Sequence, residues 1–333
     1  MTELAPLPRI GPSDDVALLA TADEAAGLQT ESMSPGQRAL RRFLRHRVAV
    51  LSLVVLGLLT VLVLFAPLTA RFAQGQRLAP IAGRTNFAPP NAKAWLGTDD
   101  LNRDLYSRIV WGGRVSIFIG LAVAILGSFV GTAVGAIAGY RGGFLDGLLM
   151  RTTDIFLAFP ALVALLVLRN MFGAVHWLTA VFGQKSSIRF IVFLLAFFGW
   201  MGVARIVRGA VLSLKEREFV EASTALGAKT SRIIIRHILP NTIGPILAAT
   251  TLSVVAAVIG EAGLAFFGYG LDASKNQASW GILLADAKGA VITGKWWLVL
   301  FPCLVFVIAI LCINFIGDGL RDAFDPKQDK GRA

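Results

Sequence analysis

Apolar residues in this chain come in long unbroken runs. Val48 to Phe65 and Val115 to Ala138 contain no charge, and Ile188 to Val203 contains only Arg189. About 20 apolar residues in a helix cross a bilayer, so runs of this length read as transmembrane helices. The period-two alternation of a membrane barrel is missing from them. Six spans fit, at about 48–66, 113–139, 152–170, 188–209, 241–267 and 297–317, which predicts an all-α membrane protein. Between them lie a Pro, Asn and Gly-bearing external loop at 67–110, a cytoplasmic loop at 211–240 and an external segment at 269–296 with interfacial character. In the second span Gly127, Gly131, Gly135 and Gly139 recur every four residues. They form one stripe on a helix, and such a stripe lets a neighbouring backbone approach closely, a packing feature rather than a site.

Outside the spans the pattern changes. Residues 1–36 hold six acids and one Arg without apolar periodicity, which predicts a disordered acidic cytoplasmic tail. No basic stretch leads directly into an apolar run there, as a cleavable signal would require. Arg38, Arg41, Arg42, Arg45 and Arg47 instead stand just before the first span. By the positive-inside rule they hold the N-terminus in the cytoplasm. An even number of spans returns the C-terminal tail, 327–333, to the same side, and Lys plus Arg then number 19 inside against 13 outside.

Composition sharpens this. Of 333 residues 55% are hydrophobic and only 16% charged, against about 25% charged in soluble domains, so a soluble enzyme is excluded. The net charge of +11 suggests nucleic acid at first sight, but the basic residues are scattered around apolar spans, where they set orientation. Cys303 and Cys312 lie nine apart on one span and are badly placed for a disulfide. His46, His176 and His237 stand alone without ligand spacing, so no metal site is expected. A secondary transporter would place ionisable or helix-breaking residues near the midplane, yet the span centres are nearly free of charge. Nor does a Ser/His, His/Asp or metal-ligating cluster at one depth suggest a membrane-embedded enzyme.

The stretch Leu214 to Asn241 carries the most information. Phe219, Ala222, Ala225 and Leu226 have helical spacing, Gly227 fits a helix stop, and a second short helix through Ile233 to Ile235 turns at Pro240 into the next span. Such a helix could lie on the membrane surface or dock a soluble partner. Ionisable residues near the spans are Arg151 and Asp154 at the entry of span three and Arg205 and Arg208 at the cytoplasmic end of span four. Glu261, near the external end of span five, is open to two roles, anchoring an external gate or reaching the headgroups. Residues of this kind are functional candidates unless they pair or snorkel.

Glu221-Ala222-Ser223, three residues, Gly227, then His237-Ile238-Leu239-Pro240 resembles the EAA loop of permease subunits of bacterial ATP-binding-cassette importers. Ser223 stands where a second Ala is usual, and His237 where Ile is usual. Arg236 to Asn241 is similar to the form in the dipeptide, oligopeptide and nickel branch. Gly97-Thr98-Asp99-Asp100-Leu101-Asn102-Arg103-Asp104 resembles a signature before the second span of that branch's C-type permeases, with Asn102 in place of Gly. Arg151-x-x-Asp154 with Pro160, Glu261-x-x-Leu264-x-Phe266-Phe267-Gly268-x-Gly270, Ser279-Trp280-Gly281 and Asn314 to Asp322 are similar as well, so residues 40–326 are covered in order.

The resemblance implies a type I importer permease (MetI-like) fold over 37–326, in the bacterial inner membrane, with both termini cytoplasmic. The chain would hydrolyse nothing and bind no cofactor, ATP and Mg belonging to partner ATPases. Its partners would be a second, B-type permease, two ATP-binding subunits, an extracytoplasmic substrate-binding protein and the lipid bilayer, with no nucleic acid. Glu218, Phe219, Glu221, Ala222, Ser223, Leu226, Gly227, His237, Leu239 and Pro240 would couple it to an ATPase. Gly227 would supply a corner where a side chain would clash. The cargo would be dipeptides or oligopeptides, with nickel chelates or oligosaccharides as the alternatives. The segment 170–190 is longer than the family norm and inherits no role.

Overall fold

The computed structural model describes residues 35–79, 86–271 and 277–324. The predicted acidic tail lies outside the described residues except for its last two positions, as does the closing tail. Helix α1 (Pro35–Arg45) leads through His46 into α2 (Arg47–Leu64) and the short α3 (Ala66–Thr69). After a loop come α4 (Leu105–Arg141), α5 (Gly143–Leu157), α6 (Ala161–Ala174), α7 (His176–Phe182) and α8 (Ile188–Lys215). Next follow α9 (Glu218–Ala225), α10 (Thr230–Ile233), one π-helical turn (Ile234–Ile238), α11 (Leu239–Asn241) and α12 (Ile243–Phe266). Helices α13 (Trp280–Ile292) and α14 (Trp296–Phe324) end the fold.

Helices α2, α4, α8, α12 and α14 are each long and apolar enough to cross a membrane. The remaining predicted span, the third, at 152–170, is not one straight helix. It is split into α5 and α6, which meet at 95° across Ala158 to Pro160. Pro160 has no N–H to continue the ladder, and its ring disfavours helical geometry at Phe159, so the chain breaks there.

Other boundaries shift for local reasons. Helix α4 takes in Leu105 to Val110, which the pattern assigned to the external loop, because Asp104 caps it: the Asp104 carboxylate accepts from the Ser107 N–H at 2.8 Å. Its 37 residues make a rod of about 55 Å, longer than the roughly 30 Å of a hydrocarbon core, so its ends leave the bilayer. In the segment predicted to be interfacial, Ser279 caps α13 through the Ile282 N–H at 3.2 Å. Helix α13 then buries Trp280, Ile282 and Leu283 against the bundle.

The stripe of Gly127, Gly131, Gly135 and Gly139 faces α8. A Cβ at Gly131 would lie 2.5 Å from the Trp200 carbonyl oxygen, and one at Gly139 would lie 3.0 Å from that of Arg208. Gly127 meets the backbone of Gly199, and Gly135 the carbonyl of Ala204. Two backbones therefore touch over about three turns, a contact that only glycine permits. Around it Ile119, Val123, Leu194, Leu195 and Leu264 form one buried cluster, and Leu105, Ile109, Trp280 and Trp297 form another toward the Asp104 end of α4. Both cysteines are free.

Candidate functional site

At the Arg141 end of the bundle, α8 runs on to Lys215, and Glu216 and Arg217 turn the chain into α9. Helix α9 is too short to be stable alone. It is held by Val220, which is buried in a cluster with Val203, Val207, Val211, Ile233, Ile238 and Ala249. Its other faces are open. Phe219 is 41% and Leu226 88% exposed, and Glu218, Glu221 and Ala222 are exposed beside them. Both acids lie in the first turn of α9, where they complement the helix dipole. Among the described residues neither makes an ion pair. The apolar face read from Phe219, Ala222, Ala225 and Leu226 thus points away from the protein, and the residue that seats the helix, Val220, escaped that pattern.

The stop at Gly227 has full C-cap geometry. Ala228 N–H donates to the Ser223 carbonyl at 3.1 Å and Gly227 N–H to that of Thr224 at 2.9 Å, the paired bonds that close a helix on a left-handed residue. Gly227 has φ +75°, yet a Cβ there would meet nothing within 4 Å. Among the described residues nothing crowds this corner, so within this chain the requirement for glycine lies in the backbone angle. Ser223 turns inward along the helix, its hydroxyl donating to the Phe219 carbonyl at 2.7 Å. That internal bond lets Ser stand in for Ala.

The return into the membrane is wound tightly. The π turn over Ile234–Ile238 ends at Leu239, whose N–H reaches the Ile234 carbonyl, and Pro240 follows without an N–H to give. A missing donor displaces the helical bonding register, which the wider turn absorbs. His237 and Leu239 are half-buried in this joint and Pro240 is exposed. The Asn241 side chain donates to the His237 carbonyl at 2.7 Å. The ten predicted coupling residues thus divide into an exposed α9 face and a joint that anchors it.

Charges at the same end clamp α5 to α8. Arg208 Nε and Nη2 bind the two Asp146 carboxylate oxygens at 2.5 and 2.6 Å, and Arg205 pairs with Asp154. Arg151 is exposed, and among the described residues it forms no ion pair with Asp154. Asp146 went unread in the sequence. Its signal is an acid two helical turns before Asp154, on a helix that must meet Arg205 and Arg208.

Glu261 does not reach headgroups: it is 1% exposed. Ser279 Oγ donates to it at 2.6 Å, Ser116 Oγ approaches at 3.4 Å, and the Gly281 N–H donates as well. Its carboxylate therefore sits at the N-terminus of α13, where the helix dipole favours it, and ties α4, α12 and α13 together. Nearby, Asp99 accepts from Arg103 Nε at 2.6 Å and Arg108 Nη1 at 2.7 Å, and Arg108 reaches Asp286 at 3.0 Å. Asn102 has φ 56°, a left-handed angle that Asn tolerates. Its amide also donates to the Leu78 and Ala79 carbonyls, which accounts for Asn in a glycine position. A buried arginine, Arg169, went unremarked in the sequence. It stacks 4.9 Å over the Tyr269 ring, and its Nε has no hydrogen-bond partner among the described residues. Among the described residues no group of His, Cys, Asp and Glu is arranged to hold a metal.

Residues 131–330 match the family described as binding-protein-dependent transport system inner membrane component, and residues 34–90 match the N-terminal TM domain of oligopeptide transport permease C. The oligopeptide transport system permease protein OppC of Bacillus subtilis (strain 168) is 38% identical over 311 residues, 93% of this chain and 96% of that protein. The dipeptide transport system permease protein DppC of the same organism is 36% identical over 304 residues, 91% of this chain and 89% of its own. A solved chain of the MetNI methionine ABC transporter in inward-facing conformation overlaps 65% of this chain and 98% of its own, at a TM-score of 0.49 and 19% identity.

Proposed function

The chain belongs to the family of binding-protein-dependent transport system inner membrane components, and on that footing we propose that it is the C-type permease of an ATP-driven importer of dipeptides or oligopeptides. It forms the pathway with a B-type permease, receives cargo from an extracytoplasmic binding protein and is driven by two cytoplasmic ATPases that hold ATP and Mg. Both termini and the Arg141 end of the bundle face the cytoplasm, in keeping with the arginines before α2. Likeness to OppC and DppC over nine-tenths of the chain supports the peptide cargo.

One observation carries the coupling role. Helix α9 and its C-cap expose Phe219, Glu221 and Leu226 while a single buried residue of the helix, Val220, locks it to the spans. An ATPase that seats this face as its nucleotide sites close pulls on α8. The glycine contact carries the pull to α4, and the Asp146–Arg208 and Asp154–Arg205 pairs carry it to α5. Movement of packed helices as one body, between states that different ligands stabilise, is alternating access. Helix α6 lies beyond the 95° break, so it can stay with the external half while α5 moves.

Reconstitution in proteoliposomes tests the reading. ATP-dependent peptide uptake is expected only when the second permease, both ATPases and the binding protein are present. Flux of peptide through this chain alone, without ATP, would sink it.

A further inference from the structure

Helix α1 carries three adjoining stripes, each one turn long. Ala39 and Phe43 are buried, at 5% and 7% exposure, against Leu320, Ala323 and Phe324 at the end of α14. Leu40 and Leu44 are next around the helix, and they stand 59% and 58% exposed. Arg41 and Arg45 come next and are exposed as well. Only half of the apolar side is therefore seated on protein, and the open half borders a basic edge.

The depth of this helix is fixed from two directions. Only His46 separates α1 from the first span, and that residue caps α2, its Nδ1 accepting from the Ala49 N–H at 3.1 Å. From the other side, α1 packs on the last turns of α14, where Gly319 meets Phe43 and Ala49. An amphipathic helix attached without a linker to the end of a span lies at the membrane surface. There, leucines enter the acyl boundary and arginines at the polar edge meet phosphate headgroups.

We propose that α1 is an interfacial anchor that binds anionic phospholipid through Arg41 and Arg45, with Leu40 and Leu44 inserted beside the headgroups. The lipid is the occupant because the site joins a basic stripe to an apolar one at bilayer depth, a combination that a soluble anion does not match. The consequence reaches the docking loop. Phe324, in the α14 turn that α1 covers, packs on Gly244 in the first turn of α12, just after the loop returns to the membrane. Lipid held on α1 therefore steadies the stretch through which α9 is joined to α12.

The test uses the assembled transporter in nanodiscs of phosphatidylcholine doped with phosphatidylglycerol, with retained lipid counted by native mass spectrometry. A nitroxide at Leu44→Cys, in a Cys303→Ser/Cys312→Ser background, reports depth. Wild type should retain phosphatidylglycerol in preference, and Arg41→Gln/Arg45→Gln should cut that retention roughly tenfold or more, with insertion and ATPase partners unchanged. The nitroxide should be accessible to oxygen and shielded from a water-soluble nickel chelate. Equal retention by both proteins, or a label open to the chelate, overturns the proposal. So does preferential retention that emerges only when residues 1–34 are removed, because the acidic tail would then be the occupant of the basic face.

Discussion

Gly227 shows what a single position demands. Its φ of +75° is a region that Asn visits and β-branched residues avoid, and among the described residues no atom lies where a side chain would go. Gly227→Val should therefore misdirect the end of α9 and lower ATP-driven uptake at least about tenfold, since a strained left-handed residue costs about 1–2 kcal/mol or more. Gly227→Asn should keep most of the uptake. Membrane abundance on immunoblots should be equal for both. Uptake lost equally in the Asn variant would mean that crowding by a docked partner, and not the backbone, fixes glycine here. Asn102 is the mirror case. The sequence displays it as a departure from glycine, and only the left-handed angle with the two amide bonds explains why the exchange works.

Between elements, glycines and ion pairs make separate contacts with separate costs. Leu at Gly131 would drive into the Trp200 carbonyl and Val203, and overpacking of this kind costs about 1–3 kcal/mol. Gly147 on α5 faces open space, so Gly147→Ala should stabilise its helix by up to about 1 kcal/mol. Thermal melting of the detergent-extracted chain should move down for Gly131→Leu and up or not at all for Gly147→Ala; the same sign of shift for both would refute the close α4–α8 contact. The Asp146–Arg208 pair is partly buried, with side chains 15% and 34% exposed, and has two good bonds. A double-mutant cycle of Asp146→Asn and Arg208→Gln should give a coupling of about 1 kcal/mol, in the range of contacting pairs after allowance for solvent screening. A cycle that closes to zero would remove this clamp from the coupling path.

At this scale the sequence was readable where a pattern is local. Run length located five unbroken spans, helical spacing located α9, and the fourfold glycine repeat located the α4 face that meets another helix. The bend at Ala158–Pro160 was not read, because a run of apolar residues masks a break that one proline causes. Long-range partners were not legible either. Glu261 is satisfied by Ser116, 145 residues away, and Ser279, 18 away, and nothing at Glu261 itself points to them. Its placement inside the protein, where headgroups had been one expectation, follows from those donors. Val220 is a further case: a lone valine between Phe219 and Glu221 looks incidental until the cluster beneath it is seen.

For the whole molecule, the glycine contact and the charge clamps join α9 through α8 to α4 and α5, while its outer face stays exposed. Hydrophobic residues exposed along the spans α2, α4 and α14 need no soluble partner to cover them in a membrane protein. Phe219 and Leu226 are different, since they stand on a polar loop beyond the spans and beside two acids. Under the proposed function they are covered by an ATPase. The direct measurement is affinity purification of the detergent-extracted transporter through a tag on this chain, with the co-eluting ATPases quantified for wild type and for Phe219→Glu/Leu226→Glu. The prediction is retention of both ATPases by wild type and their loss from the variant, with the B-type permease still bound to each. Equal ATPase retention by the two proteins would contradict it.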